Sequence, residues 1–300
     1  MHFGRYALIC QPLIVTALLL NAAEQVFAAT DMVEVCQGHE TSSSLPRDTV
    51  KVLSLNISHG RNRSLNQLLV SKKRTYENLD KIATLLEKVA PDVVAFQEAD
   101  AASRWSGNFD HVAYVAEQSG FPCIVHGYHS KSWISTYGTA LLSRSKAAES
   151  ASVQFSPSWP SKQKGFVSVT FAWSAGQLHV PITLVSVHFD FLRSGVRDQQ
   201  VQEMVSHLSK IDGPLVLMGD LNSQWDGNTS HVRMLTDELN LRAFSPENGG
   251  LGTYKKPTGK RLDWILISHH LQFQSYRVLP DVVADHFAIF AELIYQEQQE

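Results

Sequence analysis

The sequence predicts an α/β fold in a single domain, and three observations carry that expectation. Apolar runs of strand length alternate with stretches whose apolar residues recur at helical spacing, and the order strand, helix, strand appears twice. The apolar runs close repeatedly on an acid, an amide or a histidine, as strands do when their ends open into a cleft. A chain of 300 residues, 44% hydrophobic and 18% charged, suits a substantial core and excludes disordered and fibrous classes.

In chain order, an apolar stretch follows Arg5 and ends in small residues around Ala28, the pattern of a secretory signal over residues 1–28. The stretch is short for a bilayer span and is interrupted by Gln11 and Pro12. Residues 29–47, with the TSSSLP run, read as a polar linker. A single folded domain is expected over 48–296. Residues 50–56 alternate as a first strand ending in Asn56. A basic loop (Arg61, Arg63, Lys72, Lys73, Arg74) leads to a helix marked by Leu79, Ile82, Ala83, Leu86 and Val89 and stopped by Pro91.

Residues 93–96 form a buried strand closing in Gln97 and Glu98. A shorter helix near 109–118 ends at Gly120, a natural C-cap. Strands follow at 123–125, 138–143, 153–155, 166–173 and 182–189, the last bearing His188. Val201, Met204, Val205, Leu208 and Ile211 mark the next helix. The strand at 215–218 runs into Gly219, Asp220 and Asn222. Val232, Leu235 and Leu239 suggest a short helix, 262–267 a strand carrying Asp263, and 273–279 with 287–295 a final pair bracketing Asp285 and His286.

Asn56, Glu98, His188, Asp220, Asn222, Asp263, Asp285 and His286 thus lie at or near strand ends. Carboxylates and amides without cysteine are hard oxygen donors, which favour magnesium, manganese or calcium over zinc. Glu98 is the first choice of ligand, with Asp285 or Asn56 completing the shell. Histidine beside such a metal suits proton transfer, because its pKa lies near neutrality. His286 needs a carboxylate to hold its ring, for which Asp263 is the candidate, and Asp220 would stand next to the attacking water. The Asn222 amide can donate to a phosphoryl oxygen without adding negative charge. The pairs His126/His129 and His269/His270 have zinc-like spacing, but no third ligand is evident near either.

The ordered set LSLN (Asn56), FQE (Gln97, Glu98), YGTALLSR (138–144), VSVHFD (His188), GDLN (Asp220, Asn222), RLDWIL (Asp263) and ADHF (Asp285, His286) resembles the endonuclease/exonuclease/phosphatase superfamily from about residue 50 to 295. The resemblance implies a four-layer α/β sandwich, two mixed β-sheets packed face to face with helices outside. It also implies a metal-dependent phosphoester hydrolase. By motif, Glu98 binds the metal with Asn56 nearby and Asp285 at its edge, Asp220 activates water, Asn222 and His188 meet the phosphate, and His286 pairs with Asp263.

The superfamily spans nucleases, sphingomyelinases and phosphatases, so the substrate must be read from loops. Two of them place Tyr128, Trp133, Tyr137 and Trp159 among Lys131, Lys162 and Lys164, as stacking or lipid-dipping groups or as caps on the core. Lys255, Lys256, Lys260 and Arg261 stand before Asp263, where a phosphate contact is one reading and a solvated face the other. The net charge of -3 supplies no overall attraction to nucleic acid or to anionic membranes, though a local basic groove can sit on an acidic protein.

The expectation is a secreted or periplasmic, monomeric, magnesium-dependent phosphodiesterase acting on a small or lipid-linked phosphoester, with no membrane span once the signal is removed. A DNase-like endonuclease is the enzymatic alternative, and an inactive binding module the non-enzymatic one. Pairing of Cys36 with Cys123 is left open.

Overall fold

The computed structural model describes residues 31–37, 41–45, 48–175, 178–227, 229–255 and 259–296. The expected signal, 1–28, and Lys256 lie outside them. Among the described residues, fourteen strands form two mixed sheets, face to face, and four α-helices cover them, two on each outer side. The predicted four-layer sandwich is therefore the observed one.

The first sheet has the order β1(Met32–Cys36), β5(Cys123–Lys131), β6(Thr136–Ser143), β4(Val93–Asp100), β3(Thr49–Asn56), β14(Ile289–Tyr295), β13(Leu271–Val278). The second has β11(Leu241–Ala243), β12(Asp263–Ser268), β10(Leu215–Asp220), β9(Leu178–His188), β8(Gly165–Ala175), β2(Ser44–Leu45), with β7(Glu149–Gln154) also on β8. Alternate side chains of the central strands enter different layers, as a period of two requires. Val52, Val93, Ala95, Val216 and Met218 join Phe171 and Trp173 between the sheets. Leu53, Leu55, Val94 and Phe96 face one helical layer, and Val185, Leu217 and Leu266 the other. Burial on both faces explains why these strands read as nearly unbroken apolar runs.

The helices begin and end where local chemistry dictates. In α1(Lys72–Val89) the Ser71 hydroxyl accepts from the Arg74 amide at 3.2 Å, and Ala90 turns left-handed before Pro91. Lys72, Lys73 and Arg74, expected in the loop, form this helix's first turn. In α2(His111–Ser119) Asp110 caps the start, accepting from Ala113 at 2.9 Å, and Gly120 closes the end with φ 69°. On the opposite outer layer, α3(Ser194–Leu208) buries Val201, Met204 and Leu208, and α4(His231–Glu238) is capped by Ser230.

The segment read as a linker departs from expectation. β1 pairs antiparallel with β5, placing Cys36 opposite Cys123, and the two form a disulfide. β2 pairs with β8. Both are edge strands whose order comes from backbone pairing, which an apolar pattern does not announce.

Register brings the functional strand ends to one end of the sandwich. β3 and β4 run parallel with Asn56 opposite Gln97, while β9 and β10 run parallel with His188 opposite Asp220. β12 starts with Asp263 opposite Asp220, and β14 pairs Ile289 with Ser54, so the segment holding Asp285 and His286 returns to the same end.

Candidate active site

At that end lies a cleft of about 440 Å³ lined by Asn56, Glu98, His188, Asp220, Asn222, Asp285 and His286. The structure brings together seven of the eight expected residues, and the eighth, Asp263, lies fully buried behind His286.

Backbone geometry aims the carboxylates. At Gly219 the strands β9 and β10 come so close that an added Cβ would meet the Val187 carbonyl oxygen at 2.0 Å, so only glycine fits directly before Asp220. A register shift in β4 between Phe96 and Ala99 frees Glu98, whose φ of 49° is left-handed. Such a conformation costs a non-glycine residue about 1 kcal/mol or more and concentrates at sites where side-chain direction matters. Asn222 is likewise left-handed, at φ 47°.

Asp220 is the hub. Its Oδ2 accepts from Asn56 Nδ2 at 3.0 Å and stands 3.6 Å from His188 Nε2 and 3.8 Å from His286 Nε2, while Oδ1 accepts from the Asn222 amide at 2.9 Å. Burial pushes the Asp220 pKa up to about 7. His286 Nδ1 donates to Asp263 Oδ2 at 2.8 Å. Burial alone would lower the His286 pKa, but Asp263 and Asp220 outweigh it and raise it to about 10. The floor thus holds a carboxylate that exchanges a proton near neutrality beside an imidazolium.

Asn222 gives one amide hydrogen to the Phe189 carbonyl at 3.0 Å, leaving the other for a substrate oxygen. His188 is buried, with the Lys164 ammonium 3.2 Å from Nδ1. Burial and that ammonium hold His188 neutral, its pKa well below the ordinary value.

Glu98 faces the cleft from the first sheet, 3.4 Å from His59 Nε2. Burial alone would raise its pKa, but His59, Lys164 and Arg61 overrule it, and the carboxylate stays ionised. Asp285 accepts from Arg61 at 2.9 Å and from the Ser58 hydroxyl. Asn56 Oδ1 accepts one bond, from Ser58 N at 3.0 Å.

Two donor sets could hold a cation. Asp220, Asp263 and His286 offer ligand atoms within 4.8 Å of one another. The His286 nitrogen toward Asp263 is engaged, however, and its ring is cationic. Glu98 with Asn56 and Asp285 supplies only hard oxygens, two of them carboxylates, which fits magnesium, manganese or calcium.

Sequence reading did not single out His59, Arg61, Lys164 and Tyr254 for the site. His59 is locked between Glu98 and Asp100, with Nδ1 3.2 Å from Asp100 Oδ2, and packs edge-on against Trp105 and Tyr137. Its position three residues after a strand-end asparagine was the available signal. Lys164 immediately precedes Gly165, which pairs with His188, a relationship visible only once β8 and β9 are in register.

Of the basic cluster, Lys260 lines the cleft. Arg261 does not: it is buried, stacked 3.9 Å over Trp264 and donating to the carbonyls of Phe244 and Ser245. Trp133 and Trp159 do not cap the core but stand 81% and 86% exposed. The zinc-like histidine pairs are otherwise occupied, His126 against the Ala99 carbonyl and His129 against Thr139, while the His269 and His270 rings pack at a 34° tilt.

Comparison with known proteins accords with this geometry. A model of the endonuclease/exonuclease/phosphatase family matches residues 53–286. No curated protein matches the sequence. Among solved structures, an endonuclease/exonuclease/phosphatase from Beutenbergia cavernae has a TM-score of 0.66 at 17% identity, covering 83% of this chain and 72% of its own. The mannosyl-6-phosphatase Bt3783 of Bacteroides thetaiotaomicron has 0.59 at 16%, covering 82% and 100%. The human Nocturnin catalytic domain, with bound sulfate, has 0.59 at 16%, covering 89% and 98%. At these identities the likeness speaks to fold alone.

Proposed function

The chain belongs to the endonuclease/exonuclease/phosphatase family, whose members hydrolyse phosphoesters and generally depend on a divalent metal, and from that premise we propose a magnesium-dependent phosphodiesterase acting on a small or lipid-linked phosphoester. The observation that carries this reading is the pairing of Asp220, titrating near neutrality, with a charged His286 in one cleft.

A phosphodiester repels its nucleophile, so the site must neutralise charge while water attacks in line. Ionised Asp220 accepts the proton of the attacking water, and Asn56 orients that carboxylate. The imidazolium of His286, held by Asp263, donates toward phosphoryl or leaving oxygen. Asn222 and Lys260 add a donor and positive charge around the phosphate, and Lys164 adds its charge from behind His188. The cation, held by Glu98 with Asn56 and Asp285, would supply Lewis-acid polarisation of a phosphoryl oxygen.

We further propose that the protein is exported, secreted or periplasmic, and acts as a monomer. The leader-like residues 1–28 support export, as does the Cys36–Cys123 disulfide, since such bonds persist in oxidising compartments. Among the described residues no helix is long and apolar enough to cross a membrane.

The test is a panel of DNA, RNA, sphingomyelin, phosphoinositides and chromogenic diesters, with and without magnesium. Magnesium-dependent release from lipid or small diesters is expected. Preferred cleavage of plasmid DNA would replace this reading with an endonuclease, and metal binding without hydrolysis of any substrate would leave a binding module.

A further inference from the structure

The large apolar side chains that this fold leaves in water are not spread over it. Six of the most exposed are Leu65 at 98%, Leu68 at 72%, Leu69 at 81%, Trp133 at 81%, Trp159 at 86% and Phe191 at 60%, with Leu192 next to the last at 55%. Among the described residues the other exposed large hydrophobics, Val33, Val35, Leu178 and Val282, are at 44% or less.

All of the first group lie in connections at the end of the sandwich that holds the cleft. Leu65, Leu68 and Leu69 follow β3, whose last residue is Asn56. Trp133 joins β5 to β6, where Tyr137 pairs with Asp100 at the far end of β4. Trp159 precedes Gly165, the partner of His188. Phe191 follows His188 and lines the cleft itself.

These connections also touch one another. The Gln67–Leu69 turn packs on the Arg104–Ser106 turn, and the Trp105 amide donates to the Ile134 carbonyl beside Trp133. Arg193 donates to the Ser158 carbonyl, and Ser161 bonds Asp190, which ties the Trp159 loop to that of Phe191. The result is two clusters of apolar connections at the end of the sandwich that holds the polar cleft, with Phe191 reaching the cleft itself.

Charge accompanies it. Residues 61–74 hold Arg61, Arg63, Lys72, Lys73 and Arg74 and no acid, in a chain of net charge -3. Arg61 lines both the cleft and the adjoining groove that Arg63, Leu69 and Arg74 share. Exposed leucine and tryptophan interleaved with cations is the chemistry of a loop that enters a headgroup layer, with apolar tips in the acyl boundary and cations against anionic lipid.

We propose that the cleft end of the sandwich docks on a lipid surface carrying anionic headgroups, so that the phosphoester is presented from the plane of that surface. The substrate assignment rests on the hydrolase reading above, whereas the docking does not. Base stacking would also use Trp133 and Trp159, but it has no use for three solvent-facing leucines.

The test uses vesicles of phosphatidylcholine and phosphatidylglycerol at 7:3, with pure phosphatidylcholine as comparison. Because Trp133 and Trp159 are the exposed tryptophans, docking should shift emission to the blue. It should also bring the protein down with the 7:3 vesicles more than with neutral ones. In Trp133→Ser/Trp159→Ser and in Leu68→Ser/Leu69→Ser, partition should fall at least about 10-fold, the scale of removing a large apolar contact, with the thermal midpoint unchanged. Turnover of a soluble chromogenic diester should stay at the wild-type value.

Absence of vesicle binding, or equal binding by the variants, overturns the proposal. So does tryptophan-dependent binding of a single-stranded oligonucleotide that vesicles cannot compete away. Vesicle binding lost in the variants, in a protein that hydrolyses no phosphoester, would uphold the docking and refute the hydrolase.

Discussion

Asp220 Oδ2 and His286 Nε2 face each other across 3.8 Å, one carboxylate pushed toward neutrality by burial and one imidazole kept charged by Asp263. A base and an acid are thereby set side by side, the one able to give up its proton near neutrality and the other holding its own.

Removing the acid should be costly. His286→Ala is expected to lower kcat by about 10² to 10⁴, the range for a positioned acid or base. Asp263→Asn should lower kcat and also bring down the alkaline limb of the pH profile, since Asp263 is the strongest group raising the His286 pKa. Near-normal turnover in His286→Ala would refute its assignment.

The profile itself follows with a definite sign. Asp220 must be ionised to accept a proton, so kcat/KM should climb as pH rises through about 7. His286 must be protonated to donate, so activity should fall as pH rises through about 10. Initial rates on a chromogenic diester from pH 5 to 11 measure both limbs. A plateau extending down to pH 5 would contradict the role of Asp220.

Chelation should abolish hydrolysis and added magnesium restore it. Glu98→Gln, which removes one ligand charge without changing size, should raise the magnesium concentration for half-maximal rate by 10-fold or more, with stability nearly unchanged. Equal metal response in wild type and variant would move the cation away from Glu98, with the Asp220, Asp263 and His286 set the next place to look.

Acid should loosen the fold through histidine. His129 is buried with its Nε2 against the Thr139 hydroxyl, and burial lowers its pKa to about 3. A base whose folded pKa lies below its unfolded value stabilises fully above the unfolded value, about 6.5, and loses that contribution as pH falls toward 3. The urea midpoint should therefore drop between pH 7 and pH 4, and less so in His129→Gln. A flat midpoint over that interval in wild type would contradict it.

The disulfide spans 87 residues and anchors β1 to β5. Cys36→Ser with Cys123→Ser should lower unfolding free energy by about 2 to 5 kcal/mol, the usual effect of losing a native bridge. The variant should retain activity, since neither cysteine lines the cleft.

Much of this architecture was legible because two properties coincide in the central strands. Residues such as Val216 to Met218 are buried on both faces and so appear as apolar runs, and each run stops where a polar residue must reach the cleft, as at Asp220 and Glu98. Those marks are local. β1 and β2 were not legible, because edge strands of five and two residues owe their order to pairing with β5 and β8. Lys164 was seen only as a loop cation, since its closeness to His188 depends on register across β8 and β9. Arg261 looked like a solvated or phosphate-binding charge, but its stacking on Trp264 depends on tertiary packing. The exposure of Trp133 and Trp159 was undecidable from composition, because tryptophan serves cores and interfaces alike.

The most direct test of the central claim is magnesium-dependent hydrolysis of bis(p-nitrophenyl) phosphate by wild type and by Asp220→Asn, which keeps the shape of the hub and removes its basicity. The expected result is steady turnover by the wild type and a loss of at least about 10² in the variant. An Asp220→Asn protein that turns over at the wild-type rate would contradict the claim that this cleft performs the chemistry.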